Sequence, residues 1–420
     1  MQRGVLIISV LLSIGAIAFM ASRQPSVPNS SASEPANVVI APTVPLNDPA
    51  FVVSAPELGP ATSESGPGEW LMEGSNPARD RRSPAPIAIP LTQSREIGIP
   101  GDQTENGSPP VIAQGMLLIE TADHLRAFDL ASGQQRWIYE ERGSYISPAV
   151  AGDLVYIRAE SANEGSVIAL NLQTGAPVWD FKPNKLSSEA NNYYGGHITS
   201  PVIVDGVVYI GAGKELYALD AKTGAERWVF AAQDYVTASA SIGADQIYIS
   251  DFRYVYAINL ADGTLRWATP VETAFSFSSV AASDLVLVTS GTKVLALGAN
   301  DGALRWQLDI SGQTLIPAAA DDRLAYVKST ETLYALDLAT GKEVWRFHDT
   351  NFVSLPVLVG GQVFLISGLE ANTAVHALER ESGSSTWKQT VTKLATTAPI
   401  VAGRAIYVRT TDGRIVAFSS

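Results

Sequence analysis

The 420-residue chain contains no cysteine. That excludes disulfide stapling, thiol chemistry, Cys-ligated zinc and haem attachment together, and also the acylated Cys of a bacterial lipoprotein. Histidine is nearly as scarce. His124, His197, His348 and His376 are scattered and never fall at i, i+4 spacing, so no metal site is expected. Positive charge is short as well: the formal charge is −13 and no basic stripe occurs, so no nucleic-acid partner is expected. The run Arg79-Asp80-Arg81-Arg82 is brief and mixed, and reads as a solvated segment. Charged residues make up only 17% of the chain against 46% hydrophobic, a balance that suits a large core of short strands.

The first 22 residues read as a signal-anchor or signal peptide. Arg3 precedes Gly4–Met20, an apolar run of 17 residues without a charge, and Arg23 follows it. That length lies at the lower edge of a membrane-spanning helix, and favours an uncleaved anchor. Ala16-Ile17-Ala18 has the small-x-small pattern of a cleavage site but lies inside the run. Either outcome exports the rest of the chain. Residues 21–110 then hold 16 of the 24 prolines and no lysine. Such a stretch buries too little apolar area to offset its ordering entropy, so residues 23–84 read as a Pro/Ser-rich disordered stalk. Gly68-Glu69-Trp70-Leu71-Met72 to Arg79 interrupts it. Its Trp and Met suit no solvated tether, so residues 68–79 are expected to dock on the domain that follows.

From residue 110 one unit recurs. A Gly stands at 133, 175, 224, 263, 302, 341 and 383, and a Trp follows four residues later each time: Trp137, Trp179, Trp228, Trp267, Trp306, Trp345 and Trp387. A period near 40 signals a repeat architecture. The stretch before each Gly, such as Leu216-Tyr217-Ala218-Leu219-Asp220, reads as a strand whose Ala avoids collision with a neighbouring blade. Its terminal Asp or Asn (Asp129, Asn171, Asp220, Asn259, Asp337) is placed to bond its own turn. Gly supplies positive φ, and Trp opens the return strand as a rigid surface between units. Upstream segments such as Ser200–Ile210 add two more strands. The fold expected for 85–420 is therefore an all-β, eight-bladed β-propeller of four-stranded antiparallel blades, because radial closure protects sheet edges. The last unit stops at Phe418 one strand short, and a strand near Leu91–Ile99 is expected to close it.

The Ala-Leu-Asp-x-x-Thr-Gly-x-x-x-Trp signature, as in Ala335–Trp345, resembles the PQQ-repeat (quinoprotein-like) propellers over residues 110–420. Trp70–Arg79 is similar to the lead-in common before such propellers. In architecture the chain resembles the propeller component of the bacterial outer-membrane barrel-assembly machinery. That resemblance implies a non-catalytic, membrane-tethered interaction scaffold outside the cytoplasm, with an envelope protein or peptide as partner and a monomeric propeller. The chain departs from that component in lacking a lipobox Cys. The resemblance to PQQ-dependent dehydrogenases implies larger insertions, a vicinal Cys pair over the cofactor and a calcium site. This chain has no Cys and near-minimal blades, so no cofactor is expected. An extracytoplasmic ligand or carbohydrate sensor is the remaining alternative.

The repeated Trp residues are scaffold, so function is sought where copies depart from the consensus. The 49-residue spacing between Gly175 and Gly224 places extra residues in Phe181–Thr199, a loop carrying Asn191, Asn192, Tyr193, Tyr194 and His197. Hairpins at Glu160–Gly165 and Leu369–Thr373 are enlarged, and topology puts all three insertions on one face. The same face is expected to carry Tyr145, Tyr235, Phe275 and Phe352 as an aromatic rim, beside Asp234, Glu272, Asp349 and Asn351. These are the candidate binding residues. The competing reading is that the rings cap the inner strands.

Overall fold

The computed structural model describes residues 69–84, 87–100, 108–121, 124–140, 144–145, 147–160, 165–183, 199–272, 277–349, 351–369 and 371–420. Residues 1–68, read above as a targeting segment and most of a stalk, lie outside them. Every regular element described is a β-strand, and the strands form eight sheets in chain order, the blades of an eight-bladed propeller. Blade 1 runs Val111–Ala113, Met116–Thr121, His124–Asp129 and Gln135–Tyr139. Blade 3 repeats the plan with Val202–Val204, Val207–Ala212, Glu215–Asp220 and Glu226–Ala231. Blades 2, 4, 5, 6 and 7 have first strands at Ala149–Ala151, Ser241–Ile242, Val280–Ala282, Ile316–Ala320 and Val357–Val359. Blade 8 has Ile400–Ala402, Ala405–Arg409 and Arg414–Ser419, and its fourth strand is Thr92–Gly98, antiparallel to Arg414–Ser419. The N-terminal strand therefore closes the ring, which removes the free edge an open array would keep.

Burial follows radial position. Second strands such as Leu285–Ser290 are buried along their whole length, whereas the outermost strand Leu304–Leu308 buries only Trp306 fully. Each repeat Trp crosses to the next blade. Trp306 Nε1 donates to the Leu338 carbonyl at 2.7 Å, Trp267 to Ala299 at 2.8 Å and Trp137 to Leu172 at 2.8 Å. The indole lies on the next blade's turn glycine. A Cβ added to Gly341 would meet Trp306 at 2.7 Å, and its φ is 70°. That residue is glycine for two reasons, the left-handed backbone and the room an indole needs. The aspartates behave as their position suggests: Asp220 Oδ1 accepts from the Lys222 and Thr223 amides. The consensus Ala also has a neighbour within its own blade. Ala218 stands directly across from Trp228, and Ala335 from Trp345, within the same blade, so the small side chain makes room for that blade's own indole.

Two further details came only from the structure. A second-strand Tyr reinforces the Trp dock: Tyr156 hydroxyl and Trp179 Nε1 both donate to the Ala221 carbonyl, at 3.1 and 2.9 Å. Blade 8 lacks the Trp, and Ile97 of the closing strand takes its place against the blade 1 turn glycine, Gly133, at 3.6 Å from the ideal Cβ position. Trp387 of blade 7 meanwhile donates to the Leu91 carbonyl at 3.1 Å, just ahead of that strand. Because each indole serves two blades, Trp306→Ala is expected to cost about 3–5 kcal/mol in urea unfolding. A loss under about 1 kcal/mol would mean the blades cohere without the dock.

The segment Trp70–Ser83 is threaded around the hub. Trp70 and Ile112 exchange backbone hydrogen bonds in blade 1, at 2.8 and 3.0 Å. The Val150 amide in blade 2 donates to Leu71, and Ser200 at the entry to blade 3 donates to Glu73. Ile242, Ala281 and Ala320 of blades 4, 5 and 6 donate to the carbonyls of Pro77, Ala78 and Asp80. Leu358 of blade 7 donates to Arg81, and Arg82–Ser83 pairs in parallel with Leu358–Val359. Closing a ring joins neighbouring blades but leaves the inner edge of each first strand unpaired, and buried amides need partners. This segment supplies them in blades 1, 2, 4, 5, 6 and 7. Arg79, Asp80 and Arg81 are consequently buried, which overturns the expectation of a solvated charge run; only Arg82 remains exposed.

Candidate functional site

The strands place one end of the second and fourth strands of every blade on a common face. In blade 2, Glu160 and Gly165 are paired at the hairpin end, and Phe181 lies across from Val167 near that same end. Of the loop residues proposed for this face, Asn191, Asn192, Tyr193, Tyr194 and His197 lie outside the described residues, as does Phe275. Tyr145 falls in a two-residue strand, Ser144–Tyr145, that pairs with Ala159 and Glu160 above the first strand of blade 2. Tyr235 and Phe352 are half-buried at equivalent positions entering blades 4 and 7, so two whole blades separate them and they share no contact surface.

Each of these two rings carries a lysine from the preceding blade. Lys214 Nζ lies 5.3 Å from the Tyr235 centroid, and Lys328 Nζ lies 5.2 Å from that of Phe352. An ammonium over a ring face is attracted by the quadrupole, which fixes both partners. The acidic residues beside them are turn-formers: Asp234 Oδ1 accepts from the Tyr235 amide and Asp349 Oδ1 from the Asn351 amide. Glu272 instead reaches Lys293, at 3.5 Å.

Sequence reasoning missed a second set. Aligning the second strands on Tyr-Ile-Arg, Tyr-Val-Lys and Tyr-Val-Arg puts Arg158, Lys328 and Arg409 at one position in blades 2, 6 and 8. All three are buried cations facing the next blade. Arg158 donates to the Gly211 carbonyl, and Arg409 to the carbonyls of Ser108 and Glu120 at 3.1 and 2.8 Å. Burial pushes the Lys328 ammonium down to about 8. The signal was available as a basic residue where the other copies hold small, polar or aliphatic ones.

Between blades 6 and 7 lies an Asp-Ser-His chain in which Ser367 and His376 are buried and Asp349 is half-buried. Ser367 Oγ donates to Asp349 Oδ2 at 2.9 Å and lies 2.9 Å from His376 Nε2. Burial, aided by the Lys388 charge, lowers the His376 pKa to about 4, so the ring is neutral at pH 7. With the single hydroxyl proton directed at Asp349, Nε2 must donate to Ser367. That polarity is opposite to the one needed for histidine to activate a serine nucleophile. The chain is an interblade link.

Eight four-stranded blades, joined by a glycine-to-indole dock and threaded at the hub, define a propeller of the PQQ-repeat class. The chain belongs to the family described as outer membrane protein assembly factor BamB, whose model matches residues 102–269, 163–313, 251–368 and 353–420. It is 32% identical over 82 residues to the BamB of Burkholderia pseudomallei, covering 18% of this chain and 22% of that protein. It is 29% identical over 196 residues to quinohemoprotein alcohol dehydrogenase ADH IIB of Pseudomonas putida, covering 40% of this chain and 27% of that protein. Both matches therefore span well under two thirds of those relatives. Among solved structures, BamB from Moraxella catarrhalis has a TM-score of 0.58 at 16% identity, covering 79% of this chain and all of that one (100%). Quinohemoprotein alcohol dehydrogenase from Comamonas testosteroni has a TM-score of 0.66 at 14% identity, covering 84% and 80%. At such identities the structural likeness concerns the fold.

The fold's association with a tricarboxylate quinone raises the question whether these residues suit one. Holding it takes several uncommitted cations and, for the dehydrogenase chemistry, a carboxylate base. Arg158 and Arg409 already bond backbone carbonyls of the adjoining blade. Among the described residues no group of three or more His, Asp or Glu is placed to hold an accompanying metal ion. With two of the three second-strand cations committed and no metal-holding group described, that position does not fit the quinone.

Proposed function

We propose that this chain is a non-catalytic, exported propeller that serves as a protein-interaction scaffold in the cell envelope. The observation that carries this reading is the hub lining: Trp70–Ser83 supplies backbone partners to the first strands of blades 1, 2, 4, 5, 6 and 7 and so commits that edge to the chain itself. The family match to an outer-membrane assembly factor supports an envelope setting and a protein partner. Contact then falls to the face expected to carry the insertions, with Tyr235 and Phe352 among its described aromatic residues. The N-terminal segment would hold the propeller at the membrane.

The quinohemoprotein relative favours a second reading, a PQQ-dependent dehydrogenase. One pair of measurements separates them. A photo-crosslinking residue placed at Tyr235 or Phe352 of the full chain in cells is expected to trap a discrete envelope protein. Purified full chain with PQQ and Ca²⁺ is expected to show no rise in unfolding temperature and no alcohol-dependent dye reduction. A rise of several degrees together with turnover would replace the scaffold reading.

A further inference from the structure

The loop at the hub holds more cation than its neighbours neutralise. Glu73 accepts from Arg79 at 3.0 Å and from Ser200 at 2.7 Å. Asp80 is turned the other way, toward Arg82 at 2.8 Å and Asn76 at 2.6 Å. Among the described residues no carboxylate lies within salt-bridge distance of Arg81, although only 5% of its surface is exposed. Two guanidiniums thus share one carboxylate in a buried place. Their charges repel, and burial, opposed by Glu73 and reinforced by Arg79, brings Arg81 down only to about 10. It stays charged at neutral pH, and an uncompensated buried guanidinium is strongly unfavourable.

The hydrogen bonds point the same way. Arg79 Nη2 and Arg81 Nη1 are both buried without an acceptor. Native proteins rarely leave charged donors in that state, so such atoms mark a missing partner. The segment has two further orphans: Trp70 Nε1, a neutral donor, and Asn76 Oδ1, an acceptor that calls for a water. Glu73 keeps 26% of its side chain exposed, so solvent reaches the cluster from one side.

We propose that the hub binds a small monovalent anion, chloride in ordinary solution, between Arg79 Nη2 and Arg81 Nη1. The ion supplies the missing negative charge and accepts both orphan N–H groups. Two buried donors leave little room for a carboxylate carried by a partner and suit a single spherical ion better. The site is independent of the scaffold reading, since it serves the hub whatever the outer face binds.

The test uses purified full chain at constant ionic strength. Replacing gluconate by chloride is expected to raise the unfolding temperature by several degrees and to saturate, as binding to the native state requires. Arg81→Met is expected to remove that chloride-specific increment. Because the variant could fail to fold, the deciding measurement is made on the unaltered protein: crystals soaked in bromide are expected to show an anomalous peak within hydrogen-bond reach of both guanidiniums. Absence of that peak, or equal unfolding in the two salts, overturns the proposal.

Discussion

Removing residues 69–83 from the otherwise complete chain is expected to lower the unfolding temperature by more than about 10 °C, or to prevent the propeller from folding. The segment contributes two buried anchors, Trp70 at 0% and Met72 at 3% exposure, and backbone partners for six first strands. Loss of a buried Trp alone costs about 3–5 kcal/mol. Each backbone hydrogen bond is worth about 0.5–1.5 kcal/mol, and a buried amide left without one costs more. The sum is on the order of 10 kcal/mol, against a typical total stability of about 5–15 kcal/mol. Calorimetry on the deleted chain measures the loss, and hydrogen exchange at Ile112, Val150, Ile242 and Leu358 locates it. A transition within about 2 °C of the parent would show that the blades close their inner edges without help.

Glu73→Gln is expected to cost about 3–5 kcal/mol at neutral pH, because it leaves Arg79 and Arg81 buried with no carboxylate between them. The amide keeps the shape, so the loss reports charge. Burial alone would raise the Glu73 pKa, but the guanidiniums of Arg79 and Arg81 and the Ser200 hydroxyl hold it below the ordinary 4.5. A carboxylate with a depressed native pKa stabilises the fold above its unfolded value, and that contribution disappears as pH falls through the native one. The difference between parent and variant should therefore be full at pH 7 and shrink progressively as pH falls below the ordinary carboxylate value of 4.5. A difference that ignores pH would assign the effect to packing instead.

What could be read from the chain was local and repeated. Glycine at positive φ, Trp four residues on and Asp or Asn capping the turn are demands that one hairpin makes on its own residues. Seven copies in register therefore declared the blade number and strand order before any tertiary contact was known. The short eighth unit likewise announced that a strand from elsewhere must complete it. Other features depended on partners distant in sequence. Ile97 substitutes for the missing indole because it lands on Gly133, and no pattern within Thr92–Gly98 reveals that. Tyr235 and Phe352 are pinned by lysines of adjacent blades, a pairing that exists only once the blades stand side by side.

The charge run at Arg79 shows the limit most plainly. Composition made it a solvated stretch, as four charged residues in a row ordinarily are. The ring decided otherwise, since it creates a circle of unpaired inner-strand amides that no single repeat contains. The chain that threads this circle is drawn into the centre with its charges. Sequence by itself determined the repeat, because each unit's turn chemistry is complete within about 40 residues. Only the tertiary structure decided that two arginines lie buried at the hub, because their burial is a property of the closed ring.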